Sequence, residues 1–155
     1  MSATVERAGE AHELGEYLTV LGRKLQPGDR APQFELESFD GTEMTTVRFS
    51  DSAGTVRLLN VINSIDTPVC HVETHRWEQE RDLLPDHVRI FTISMDLPFA
   101  LARWNAAEGV KHQALSAHKS EAFGRDYGVL IKEWRLLQRA VFVIGSSIWS
   151  PTYSA

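Results

Sequence analysis

Apolar positions in this chain gather into short, separated runs. Residues 17–21 (Tyr-Leu-Thr-Val-Leu) make a strand-length run closed by Gly22. Residues 33–37 alternate polar and apolar with period two, as a half-buried strand does. Asp40-Gly41 marks a turn, and residues 44–49 continue as a second strand, so the pair predicts a β-hairpin. Three further runs, 56–62, 88–94 and 140–144, are almost continuously apolar, as expected of central strands covered on both faces. Between the first two lies a helical stretch, residues 68–84, stopped by Pro85. Residues 99–108 and 116–127 are two more helical candidates. Strand, helix, strand, helix, helix, strand gives an α/β layered fold. Residues 1–12 show little periodicity and are expected to be a flexible terminus of a single domain spanning 1–155.

Composition narrows the partners. The chain has 155 residues, 43% hydrophobic and 24% charged, which suits one domain with a sizeable core and not a disordered chain. The net charge of −5, with acidic and basic residues interleaved, argues against nucleic acid as partner. No apolar run reaches the roughly 18 residues of a membrane helix, and the polar start does not read as a secretory leader, so a cytoplasmic location is expected. One cysteine, Cys70, excludes an internal disulfide. A lone cysteine is most simply a small buried hydrophobe.

Its neighbours change that reading. In Asn63-Ser64-Ile65-Asp66-Thr67-Pro68-Val69-Cys70, Thr67 is a good N-cap and Pro68 suits the first helical position. Cys70 then falls in the first turn, where the Thr67 hydroxyl is expected to meet a backbone N–H. Free N–H groups there favour a thiolate. Moving a thiol from about 8.5 to about 6 takes roughly 3.4 kcal/mol. A helix end supplies only ~0.3–1 kcal/mol, and ~2 in a partly buried site, so a cation is also required.

The run LLNVINSIDTPVC, followed by SMDLPFALARW and then by YGVL and QRAVFVI in matching order, resembles the thiol peroxidase branch of the peroxiredoxins. That resemblance implies a thioredoxin-like fold, with the hairpin as an N-terminal extension and a shortened C-terminus. It implies peroxide as substrate, Cys70 as the peroxidatic nucleophile, Thr67 as the active-site hydroxyl and Arg139 as the active-site arginine that supplies the cation. It also makes a homodimer a candidate assembly. Three features depart from the family pattern. Asn63 stands where the family places a proline, which predicts a wetter site. Asn105 aligns with the resolving cysteine, so turnover needs an external thiol reductant such as thioredoxin or a low-molecular-weight thiol. The chain stops soon after its last core strand, with residues 148–149 a candidate strand stub.

The alternative is a weak or inactive homologue serving as a redox sensor or binding protein. Acyl transfer by Cys70 with His71 or His75 is poorly supported, because adjacent positions at a helix start do not aim an imidazole at the thiol. His71 and His75 are one helical turn apart, but the order is not HExxH and no second cluster supports it; they read as a solvated helix face. No metal or cofactor site is expected. Trp77 and Leu84, seven apart, read as a core stripe.

Overall fold

In a computed structural model, residues 5–146 are described. The strands are β1 (Glu6–Glu13), β2 (Glu16–Leu21), β3 (Glu35–Phe39), β4 (Met44–Arg48), β5 (Val56–Val61), β6 (Val88–Ser94), β7 (Gln113–Ser116), β8 (Leu130–Ile131), β9 (Leu136–Leu137) and β10 (Ala140–Ile144). The helices are α1 (Pro68–Glu80), α2 (Pro98–Glu108) and α3 (Ala122–Asp126), with short 3-10 turns at Phe49–Ser52 and Arg81–Leu83.

Six strands form the main sheet in the order β10-β5-β6-β7-β3-β4. β5, β6 and β7 run parallel, and β10, β3 and β4 complete the sheet antiparallel. The apolar run of β5 is buried from Arg57 onward and that of β6 from Ile90 onward, as central strands with both faces covered require. Leu59, Phe91, Phe142 and Tyr127 meet in the main core. Each such buried side chain contributes about 1.5–3 kcal/mol.

The expected hairpin exists as β3–β4, but it is an edge of the main sheet and not an extension. The extension is a different hairpin, β1–β2, joined by β8 and β9 into a four-stranded sheet. The segment expected to be a flexible terminus is therefore strand from Glu6 onward. Its sequence hid this, because only Ala11 of the eight residues is buried. A register shift between Arg7 and Ala11, at Gly9 with φ of 73°, breaks the alternation further.

The helix expected at 116–127 is also corrected. Its first residue, Ser116, ends β7, which pairs with β6; residues 117–121 are loop and turn, and only residues 122–126 are helical. Gly128, at φ of 66°, ends that turn. On α1 the buried positions are Cys70 and Thr74, whereas Trp77 and Leu84 are only half-buried. The candidate stub at 148–149 lies outside the described residues.

A buried polar network fastens α1 to the sheet. Asn60 Nδ2 donates to Thr74 Oγ1 at 3.3 Å and Thr92 Oγ1 at 3.2 Å. Thr92 Oγ1 lies 2.7 Å from His112 Nε2, and His112 Nδ1 lies 2.9 Å from Glu78 Oε1. Burial pushes the His112 ring below the ordinary histidine range, against the pull of Glu78. A lowered folded-state value means that the unfolded chain binds more protons below about pH 6.5, so this stabilisation is present above that pH and is lost as pH falls. Urea midpoints should therefore drop between pH 7 and 5.5. His112→Gln should flatten that slope; an unchanged slope would count against a buried neutral imidazole.

Candidate active site

β5 and β6 are neighbours in parallel register, Val61 opposite Ile93. They deliver the Ser64-Ile65-Asp66-Thr67 loop and the Asp96-Leu97-Pro98 loop to the same sheet edge. Asp96 joins the two. Its carboxylate accepts from Ser64 Oγ at 2.8 Å, from the Ile65 amide at 2.8 Å and from Ser94 Oγ at 2.7 Å. Ser116 Oγ in turn donates to the Asp96 carbonyl at 2.5 Å. A carboxylate with several donors resists displacement more than a neutral acceptor does.

With the loop fixed, α1 begins as its sequence demands. Thr67 is the N-cap residue in extended conformation (φ −82°, ψ 142°) and Pro68 is the first helical residue. The Thr67 carbonyl accepts the His71 amide at 2.9 Å. Its hydroxyl does not cap the helix, contrary to expectation: it donates to the Ser64 carbonyl at 2.9 Å. Among the described residues the first-turn amides thus have no side-chain cap, which leaves them available to an anion.

Cys70 is free and fully buried. It packs with Ile62, Ile65 and Leu101, and with half-buried Trp104 and Ala114. Thr67 and Cys70 therefore share one helical turn. Arg139 does not join them in this conformation. Its Nη2 donates to Glu13 Oε1 at 3.1 Å, on β1 of the N-terminal hairpin. The guanidinium also faces Glu73, one turn beyond Cys70. Burial raises the Glu73 carboxyl, and the nearby Arg139 charge opposes that rise. A small cleft lined by Glu13, Glu73, Gln138 and Arg139 joins the two carboxylates to the arginine.

The two departures by asparagine are both structural ties. Asn63 is 5% exposed, and its Nδ2 donates to the Leu137 carbonyl at 2.5 Å, two residues before Arg139. Asn63 is therefore a buried tie to the chain and does not open its amide to solvent. Asn105 Nδ2 donates to the His112 carbonyl at 3.1 Å, and its own carbonyl accepts the Val110 amide at 2.9 Å. His71 and His75 are partly exposed, as a solvated face requires, but both rings also have partners. Trp104 donates to His71 Nδ1 at 3.0 Å, and His75 Nε2 lies 2.7 Å from Glu108 Oε1.

Residues 27–148 match the AhpC/TSA family. The chain belongs to that family. The thiol peroxidase of Halalkalibacterium halodurans is 44% identical over 134 residues, 86% of this chain and 78% of the relative. That of Streptococcus sanguinis is 46% identical over 132 residues, 84% of this chain and 78% of the relative. Among solved structures, a peroxiredoxin-like protein from Aquifex aeolicus superposes with a TM-score of 0.78 at 26% identity, covering 99% of this chain and 87% of that one. A thiol peroxidase from Chromobacterium violaceum superposes at 0.75 with 23% identity, covering 93% and 82%, which speaks to the fold alone. The resemblance drawn from the sequence motifs and the thioredoxin-like α/β class both hold within the AhpC/TSA family.

Sequence reasoning missed Asp96, Glu73 and Glu13. Asp96 carried a usable signal, as an acidic residue one position before a Leu-Pro helix start and two positions after the end of a buried strand. Glu13 carried none, since its strand is polar. If Asp96 fixes the helix start, Asp96→Ala should cost about 1.5–3 kcal/mol of stability, the range for a hydrogen bond to a charged group. It should also speed the labelling of Cys70 by a thiol reagent. Unchanged labelling would mean that the loop is held by something else.

Proposed function

We propose that this chain is a thiol-dependent peroxidase that works with Cys70 alone and draws electrons from an external thiol. The observation that carries the reading is the placement of the sole cysteine in the first turn of α1, behind Thr67-Pro68, in a chain 44–46% identical to proteins named thiol peroxidase.

The Cys70 thiolate attacks one oxygen of the peroxide in line. The S–O bond forms as the O–O bond breaks, and the electron pair leaves with the second oxygen. That oxygen takes up a proton and departs as water or an alcohol. Cys70 becomes a sulfenic acid. First-turn amides and the Thr67 hydroxyl stabilise the charge on the departing oxygen in the manner of an oxyanion hole. Arg139 serves as the cation once it exchanges Glu13 for the thiolate and peroxide. A first external thiol then condenses with the sulfenic acid, releasing water and leaving a mixed disulfide. A second thiol displaces Cys70 and leaves as a disulfide with the first.

Full burial of the sulfur means that substrate entry requires the first turn of α1 to loosen. Reliance on external thiols fits a reducing compartment, so the cytoplasm is the proposed location. No helix among the described residues is long and apolar enough to cross a membrane. A homodimer is the proposed assembly.

A second reading is favoured by two observations: the sealed sulfur and the Arg139–Glu13 pair. In that reading the chain is oxidised once by peroxide and acts as a redox sensor or binding protein without steady turnover.

Peroxide consumption with dithiothreitol separates the two. The peroxidase reading expects many turnovers by the wild type and none by Cys70→Ser. It expects losses of about 100-fold or more in Arg139→Gln and in Thr67→Val, as for removed oxyanion donors. Equal rates for wild type and Cys70→Ser remove it, and a single turnover per chain selects the sensor.

A further inference from the structure

The helix face beside Cys70 gathers three metal-binding side chains that no part of the peroxidase chemistry uses. His71 and His75 are four apart on α1, so their rings lie on one face, with centroids 5.2 Å apart and planes tilted by 50°. Glu108, the last residue of α2, comes up against both. Its Oε1 is 2.7 Å from His75 Nε2 and 3.6 Å from His71 Nε2. One ligand atom from each of the three lies within 4.8 Å of the others. Their side chains are 41%, 32% and 35% exposed, so one side of the cluster stays open to solvent.

We infer that His71, His75 and Glu108 form a site for a divalent transition-metal ion of the zinc class, bridging α1 to α2. Two imidazoles and one carboxylate are a borderline-soft donor set, and zinc takes three protein ligands with a solvent molecule in the fourth position. Zinc–ligand distances of about 2.0–2.2 Å put neighbouring donor atoms roughly 3–3.5 Å apart in a tetrahedron, so closing the trio onto an ion takes side-chain movement only. A single carboxylate leaves a net positive centre, which the acidic chain tolerates. Cys70 is no ligand here, because its side chain faces the core while His71 faces outward.

Trp104 sets the strength of the site. Its indole N–H donates to His71 Nδ1 at 3.0 Å. Neutral His71 therefore carries its proton on Nε2, the nitrogen that faces Glu108. Binding of zinc at Nε2 moves that proton to Nδ1, and the indole must give up its bond. The ring of Trp104 also lies edge-on to both imidazoles, with centroids at 4.9 and 5.2 Å, so its emission reports on them. A metal at this position ties the first turn of α1, with Cys70 in it, to the end of α2. It holds shut the turn that must loosen to expose the sulfur.

The test is calorimetric titration of the metal-free full chain with zinc chloride, with circular dichroism to check the fold of each variant. One zinc per chain is expected in wild type and in Cys70→Ser. His75→Gln and Glu108→Gln should each weaken binding at least about tenfold, since even outer-shell changes cost 10–100-fold. Trp104→Phe removes the competing indole bond and should bind zinc more tightly. Zinc should slow the labelling of Cys70 by a thiol reagent in wild type and leave it unchanged in His75→Gln. Absence of zinc binding by the wild type, loss of it in Cys70→Ser, or wild-type affinity in both His75→Gln and Glu108→Gln would overturn the site.

Discussion

The carboxylate of Asp96 is the constraint on which the site depends. It takes three hydrogen bonds from two loops that are about thirty residues apart in sequence. Those loops meet because β5 and β6 are adjacent and parallel, and because the Ile62 amide continues the ladder to the Ile93 carbonyl at 3.0 Å. Parallel neighbours place both strand ends on one edge of the sheet, where α/β folds build their sites. The SIDT and DLPFA motifs are thus two halves of one device. Fixing Ile65 fixes Thr67, and Thr67 sets where α1 begins and where Cys70 lies on it.

The same device leaves a conflict between order and access. Cys70 is packed against Ile62, Ile65 and Leu101, which excludes peroxide from the sulfur. Arg139 is held by the opposite hairpin through Glu13 and looks onto Glu73. Chemistry therefore begins from a closed arrangement. Its opening is local, since the first turn of α1 has no side-chain cap, while farther along the helix Thr74 and Glu78 are fastened through Asn60 and His112. Among the described residues, polar ties along α1 are unevenly spread, with no side-chain cap at the helix start and ties one to two turns beyond the cysteine. His71 and His75 add contacts to Trp104 and Glu108 on the same helix.

Much of this was legible in the sequence, for identifiable reasons. β5 and β6 are buried on both faces, so their apolar runs are continuous, and Pro68 and Pro98 mark where α1 and α2 start. The equally apolar run of β10 misled, because that strand is the sheet edge and only Phe142 and Ile144 are buried. The thiol and the threonine were read correctly as one helical turn. What was missed depends on partners far away in sequence. β1 is a polar strand whose pairing with β2 cannot be seen from its own residues, and with it went Glu13. β7 is a four-residue strand too short to show a pattern of its own, and the helix expected at 116–127 shrinks to one turn at 122–126 after a loop. The position of the Thr67 hydroxyl was set by a nearer competitor, the Ser64 carbonyl, which local capping rules do not weigh. Asn63 looked like a flaw in the motif and proved to be a buried tie to Leu137.

One experiment bears most directly on whether this enclosed sulfur is built for peroxide. The reduced protein is treated with one equivalent of hydrogen peroxide in the presence of a sulfenic-acid trap such as dimedone, and its intact mass and peptide map are measured. The account predicts a single adduct per chain, on Cys70, formed far faster than on a free cysteine under the same conditions. A Cys70 that stays unmodified, or that reacts no faster than the free amino acid, would contradict it.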